Sequence, residues 1–201
     1  MADMMFWPSE EQKALWERLL AQAKGDYARR NLVLKLIEYY REPMEAVINS
    51  CLKKPIRMRE PEHVRISSGV REYGACRLER RKQDVCSLTF SRHLFFEGNL
   101  SRLVSVVCHE MLHACLPFSE GHGKYFRFFM KKLNDAFGTQ IEIHSPENAI
   151  QQTEHLYKYK VVCNGCGNVF YYLRAGSLVK HPERYRCTKC GESRFEIEQL
   201  R

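Results

Sequence analysis

Apolar residues in the first fifty positions repeat at helical spacing. Leu15, Trp16, Leu19, Leu20 and Ala23 share one face, and Ser9-Glu10-Glu11-Gln12 ahead of them has the capping-box order that opens a helix. Gly25 ends that helix. A second follows with Leu32, Leu36, Ile37 and Tyr40 on one side, running to Arg41 or further with Pro43 as a break. Neither carries chemical groups at a telling spacing, so both are expected to be scaffold. The period then changes from helical to alternating. His63-Val64-Arg65-Ile66 and Tyr73 to Glu79 are short and strand-like, and Val85 to Phe90 alternates with Cys86, Leu88 and Phe90 on one face. Arg80 to Asp84 is a polar five-residue connection between the last two strands. The pattern predicts a small antiparallel sheet over residues 63–91, with Cys76 and Cys86 packed in its core.

A third helix is predicted after Asn99 or Ser101, either of which can cap it. Leu103, Val104, Val106, Val107, Met111, Leu112, Ala114, Cys115 and Leu116 make it apolar almost all round, so it should lie buried and central until Pro117 stops it. A fourth helix starts near His122, turns Phe126, Phe129, Leu133 and Phe137 inward, and ends at Gly138. Ser145 to Glu154 is polar and reads as a linker.

The third helix contains His109-Glu110-Met111-Leu112-His113, an H-E-x-x-H motif. Positions i and i+4 share a helix face, so both imidazoles can bind one ion. Glu110 lies roughly 100° round the axis and suits a different task, taking a proton from a metal-activated water. A zinc ion of this kind takes three protein ligands and keeps one position open. A turn at Pro117 and Gly121 can swing the next helix back and offer His122 as the third ligand. Cys108 and His144 are the alternatives. The H-x-x-G-x-x-H continuation of the metzincins is absent, because Leu116 stands where its Gly would be.

Cys163-x-x-Cys166 and Cys187-x-x-Cys190, twenty residues apart, have the spacing of a four-cysteine zinc site. Gly167 and Gly191 directly follow the two pairs and permit the tight turns that present sulfurs to one ion. Two zinc ions per chain are therefore expected, one catalytic and one structural.

Charge adds a partner. The net charge of +8 is concentrated in residues 51–82, with a surplus of six, and residues 156–201, with a surplus of five. The second block interleaves Tyr157, Tyr159, Phe170, Tyr171, Tyr172, Tyr185 and Phe195 with Lys158, Lys160, Arg174, Lys180, Arg184 and Arg186. Cations alternating with aromatics suit phosphates and unpaired bases, so single-stranded nucleic acid is the expected polyanion. Arg80, Arg81 and Lys82 at the hairpin tip, with Arg174, Lys180, Arg184 and Arg186, are the candidate contacts. No run of apolar residues reaches membrane-spanning length, and Met1 to Glu11 does not have the make-up of a secretory signal. Nine cysteines then fit ligands and core positions in a reducing, intracellular compartment, the nucleus in a eukaryote.

His109-Glu110-Met111-Leu112-His113-Ala114, Glu120-Gly121-His122-Gly123, the hairpin Tyr73-Gly74-Ala75-Cys76-Arg77 to Cys86-Ser87-Leu88-Thr89-Phe90 and the stretch Ile141-Glu142-Ile143-His144-Ser145 together resemble the SprT-like metalloproteases, the family of Spartan and of the germ-cell nuclear acidic protein SprT domain. The resemblance implies a DNA-dependent protease that degrades proteins crosslinked to DNA, which makes single-stranded or junction DNA the expected partner. It implies zinc on His109, His113 and His122, Glu110 as the catalytic group, and a DNA-binding zinc ribbon. The loop from His113 to His122 is shorter than Spartan's, and the recruitment tail of larger members has no counterpart here, so recruitment is expected to rest on DNA alone or on a further partner. The expected architecture is α+β. A zincin-like SprT metalloprotease domain with a small antiparallel sheet spans residues 1–150, and a zinc ribbon spans 156–200. A DNA-independent zinc peptidase and a non-catalytic nucleic-acid-binding zinc protein are the rival readings. The intact Glu110 disfavours the second.

Overall fold

The computed structural model describes residues 8–68, 72–79, 82–96, 98–143 and 157–200. The chain divides into two compact units, Met1–Ser145 and Pro146–Arg201. The class is mixed α+β with small sheets. No helix among the described residues is long and apolar enough to cross a membrane.

In the first unit, helix α1 spans Glu10–Gln22, and the Ser9 hydroxyl accepts the Gln12 N–H at 3.1 Å to cap it. Helix α2 runs Asp26–Asn49, well past Pro43. A proline inside a helix costs about 3 kcal/mol. Met44, Val47 and Ile48 continue the buried face beyond it, and their burial offsets that cost. Trp16 of α1 packs against Tyr39 and Tyr40 of α2, with ring centroids 4.8 and 5.8 Å away.

The sheet has three strands, β1 (Glu60–Ser67), β2 (Gly74–Glu79) and β3 (Lys82–Ser91), in the order β1-β3-β2. It is mixed, not antiparallel as the alternation suggested. β2 and β3 form the expected hairpin, but β1 runs parallel to β3 on its other side. Alternation reports which face a residue occupies and carries no information on strand direction. The hairpin is also tighter than predicted, since Glu79 pairs with Lys82 and Lys82 to Asp84 belong to β3. Cys86, Leu88 and Phe90 are fully buried, as the pattern required, while Cys76 is half-buried.

Helix α3 (Leu100–Cys115) is capped by the Asn99 side chain, which accepts the Arg102 N–H at 2.9 Å. It lies in the core with Leu103, Val107, Met111 and Leu112 fully buried. A 3-10 turn at Phe118–Glu120 leads to α4 (Lys124–Phe137), which ends at Gly138 in the left-handed conformation, φ 61°. Phe126, Phe129, Leu133 and Phe137 of α4 complete the core.

The segment before β1 closes the far end of α3. Glu45 of α2 accepts the Met58 N–H at 2.8 Å, which sets Arg59 in place. The Arg59 guanidinium donates to the carbonyls of Ala114 and Leu116 at 2.9 and 2.7 Å, and its own N–H reaches Ala114 at 3.2 Å. These are the carbonyls that a helix end leaves unpartnered, and a cation there also suits the helix dipole.

The second unit is a three-stranded antiparallel sheet in the order β5-β4-β6, with β4 at Tyr159–Cys163, β5 at Val169–Tyr172 and β6 at Phe195–Gln199. A short helix α5 (Ser177–Lys180) lies between β5 and β6. Tyr157, Val161, Cys163 and Cys187 are its buried apolar residues among those described. The polar stretch read as a linker lies outside the described residues.

Arg59→Ala removes both guanidinium bonds to the end of α3. A loss of about 1.5–3 kcal/mol is expected, in line with hydrogen bonds from charged groups. Urea unfolding followed by helical circular dichroism checks it, and an unchanged midpoint would refute the capping role.

Candidate metal centre

Three ring nitrogens converge in the first unit. His109 and His113 project from one face of α3, and His122 enters from the turn ahead of α4. Their Nε2 atoms form a triangle with edges of 3.1 Å (His109–His113), 3.0 Å (His113–His122) and 3.0 Å (His109–His122). Burial and mutual repulsion hold His109 down at about 3, and burial and His122 hold His113 down at about 4, so both are neutral at pH 7. The Nδ1 of His109 lies 2.8 Å from the Glu142 carbonyl. A carbonyl only accepts, so Nδ1 carries the proton and the Nε2 lone pair points into the cluster. The Phe126 ring packs against all three imidazoles, with centroids 4.9, 4.5 and 4.8 Å from His109, His113 and His122.

Two of the three histidines, His122 and His109, are held by backbone devices that the motif does not reveal. Gly121 has φ 49° and ψ −125°, a conformation open to glycine, and this reverses the chain into His122. The Glu120 carboxylate accepts the Tyr125 N–H at 2.8 Å and so caps α4. A methyl group on Gly123 would press against that carboxylate and lie 2.8 Å from the Glu120 carbonyl oxygen. Arg127 donates to the His122 carbonyl at 3.1 Å. On the opposite side, Asn134 bonds both the N–H and the C=O of Ile141, and Ser105 of α3 accepts the Gln140 N–H. Those bonds aim the Glu142 carbonyl at His109.

Glu110 is buried, with 4% of its surface exposed. Its carboxyl lies along the opening of β2. A Cβ on Gly74 would stand 2.5 Å from Glu110 Oε1 and 2.7 Å from its Cγ, so only glycine fits there. Burial pushes the Glu110 carboxyl up to about 8, Glu72 adds repulsion, and the Cys76 N–H opposes both. A dication among the imidazoles would act in the same downward sense as that amide.

Tetrahedral zinc bonds of about 2.0–2.1 Å place ligand nitrogens roughly 3.3–3.4 Å apart. The observed triangle is only slightly tighter, and neutral imidazole is the donor zinc takes. The residues fit the ion. Of the alternative third ligands, Cys108 is fully buried in the core and His144 lies outside the described residues.

The SprT-like family model matches residues 44–147, just over half of the chain, a range that contains His109, Glu110, His113 and His122. The chain belongs to the SprT-like family. It is also similar to the DNA-dependent metalloprotease dvc-1 of Caenorhabditis elegans, with 34% identity over 93 residues. That match takes in 42% of this chain and 24% of the worm protein, so the chain spans about a quarter of that relative's length.

Beyond the family match, this SprT-like chain gathers Cys163, Cys166, Cys187 and Cys190, whose sulfurs all lie within 4.8 Å of one another. Cys163–Cys190 and Cys166–Cys187 are 3.5 and 3.7 Å apart. Zinc–sulfur bonds of about 2.3 Å imply roughly 3.8 Å, which fits. Gly167 and Gly191 have φ 68° and 78°, and their N–H groups return to the Cys163 and Cys187 carbonyls at 2.9 and 2.8 Å. The amides of Lys189 and Cys190 hold the Cys187 thiol down at about 6, toward the thiolate that binds metal.

The candidate DNA contacts divide between the two units. Arg80 and Arg81 lie outside the described residues. Lys82 is ion-paired with Glu62 at 2.9 Å. Arg174, Lys180, Arg184 and Arg186 are exposed on the second unit, Arg184 with Glu183 3.7 Å away. Most aromatics interleaved with them are half-buried. Tyr157 is buried against Tyr171, and Tyr185 is the well-exposed one among those described.

Elemental analysis of the intact chain should find two zinc ions. Cys163→Ser combined with Cys166→Ser should remove one and leave the histidine site loaded. A single ion in the unaltered chain contradicts one of the two centres.

Proposed function

We propose that this chain is a zinc endopeptidase that degrades proteins held on DNA, in the service of DNA–protein crosslink repair. The observation that carries the reading is the triangle of three Nε2 atoms beside a buried glutamate on one central helix. We take residues 1–150 as a zincin-like peptidase domain and 156–200 as a structural zinc ribbon. The name of the worm relative, a DNA-dependent metalloprotease, supports the reading. So does the positive charge surplus. Such a protein works where its DNA is, in the nucleus of a eukaryotic cell.

His109, His113 and His122 would hold the catalytic zinc, and Cys163, Cys166, Cys187 and Cys190 the structural one. The catalytic ion supplies a Lewis acid for the scissile carbonyl and a nucleophilic water at neutral pH. Glu110 takes the proton of the attacking water and returns it to the leaving amine. Gly74 and the Cys76 amide keep the Glu110 carboxyl aimed for that transfer. The Glu142 carbonyl keeps His109 in its ligating tautomer. Phe126 closes the inner side of the centre against water.

Proteolysis of a protein substrate, with and without single-stranded DNA, tests the proposal. Glu110→Gln should lower cleavage by about 10²–10⁴-fold while retaining both metals. Near-normal cleavage by that variant sinks the role of Glu110. Cleavage that is indifferent to DNA makes the chain a DNA-independent peptidase instead.

Gly74→Ala makes a finer test. The added methyl displaces the Glu110 carboxyl without touching a zinc ligand. A fall in kcat of about 10²-fold is expected from a shift of roughly 1 Å, with metal content preserved. An unchanged kcat would show that Glu110 needs no such support.

A further inference from the structure

We infer that the solvent face of α4 is a binding surface for single-stranded nucleic acid, an inference that rests on the DNA-dependent reading above. The inner face of α4 is the buried row Phe126, Phe129, Leu133 and Phe137. The outer face presents Lys124, Phe128 and Lys131 in line at i, i+4 and i+7, with Tyr125 and Lys132 alongside. Tyr125 and Phe128 are 59% and 47% exposed, though a helix with four apolar positions already inside needs no more for its core. Single exposed aromatics are ordinary. Two at i and i+3 set among three lysines are a more specific arrangement.

The lysines carry a second observation. Some cations of this unit rest on a carboxylate, such as Lys13 on Glu10, Arg41 on Glu60 and Lys82 on Glu62. Among the described residues no acid pairs with Lys124, Lys131 or Lys132, and Asp135, one turn beyond Lys131, is the sole acid on α4. Three lysines against one aspartate leave the face net positive, about 12 Å from Lys124 to Lys132 at helical rise. Its complement is a polyanion.

The aromatics decide which polyanion. Phosphate alone is satisfied by lysine, whereas a flat ring gains most from an unpaired base stacked on it. The helix begins two residues beyond His122, so a strand on this face brings whatever protein is attached to it close to the histidine centre. Proximity on one strand then raises the local substrate concentration without a side-chain pocket.

The test uses the full chain and a fluorescein-labelled oligothymidine of about twenty nucleotides, titrated by anisotropy at several salt concentrations. Lys124→Glu with Lys131→Glu and Lys132→Glu should weaken binding at least tenfold and reduce the salt slope by about 2, the share of three phosphate contacts on a single strand. Phe128→Ala should weaken binding by about 5- to 150-fold with the slope unchanged. Circular dichroism and zinc content equal to the unaltered chain confirm that both variants fold. Affinity and slope within twofold of the unaltered chain for both variants overturn the inference while leaving the DNA reading intact. Unchanged DNA binding with slower DNA-free cleavage of an unfolded protein assigns the face to the polypeptide substrate and overturns it as well. An unaltered chain that binds no oligonucleotide removes the inference together with the DNA reading.

Discussion

Three imidazole nitrogens within 3.1 Å of one another are the constraint on which the candidate site depends. Three lone pairs aimed at one point repel, and apolar packing alone gives no reason for them to converge. A cation at that point turns the repulsion into three bonds. The helix repeat delivers two of the nitrogens at no cost, since i and i+4 already share a face. Everything else in the neighbourhood concerns the third nitrogen, the tautomer and the floor. Gly121 reverses the chain, Glu120 caps the helix that follows, and Arg127 holds the His122 carbonyl. Phe126 is the common surface against which all three rings rest.

Burying a carboxyl inside such a unit is expensive unless it is partnered. The fold limits the expense by laying Glu110 along β2, where the Cys76 amide meets it and the missing side chain of Gly74 makes room. This links the sheet to the chemistry. The sheet gives Val64, Cys86, Leu88 and Phe90 to the core, and the opening of its hairpin also fixes the direction of the Glu110 carboxyl. Arg59, just ahead of β1, anchors the far end of the same helix through two carbonyls. α3 is therefore held close to Glu110 and at its C-terminus by the sheet and the segment leading into it.

The sequence made the helices and both candidate metal-binding clusters legible, because their spacing is itself the physics. The caps at Ser9 and Asn99, the buried faces of α3 and α4, and the glycines after each cysteine pair follow from local chemistry alone. What stayed hidden depends on contacts between distant residues. Strand direction is one case, since β1 shows the same alternation whether it runs with β3 or against it. The continuation of α2 through Pro43 is another, decided by burial of Met44 and Ile48 that a local rule cannot see. The roles of Gly74, Gly123 and the Glu142 carbonyl were present only as unexplained letters in the stretches that resemble the family. Lys82 was legible only as a member of a basic run, and the structure adds its ion pair with Glu62.

The two metal centres stand in opposite relations to their surroundings. The first unit has an extensive apolar core from Trp16 to Ile141, so its fold does not require the ion, and the ion is needed for chemistry. The second unit has a handful of buried residues, two of them cysteines, and its strands are short. A module with so little buried apolar surface draws its folding free energy from metal binding. A chelator should therefore act on the units differently, silencing the first while leaving it folded and unfolding the second. The same reasoning bears on the nucleic-acid surface proposed for α4. If both proposals hold, a contact built on the apolar core would persist when metal is lost from the cysteine module, and the first unit would keep its own hold on a bound strand.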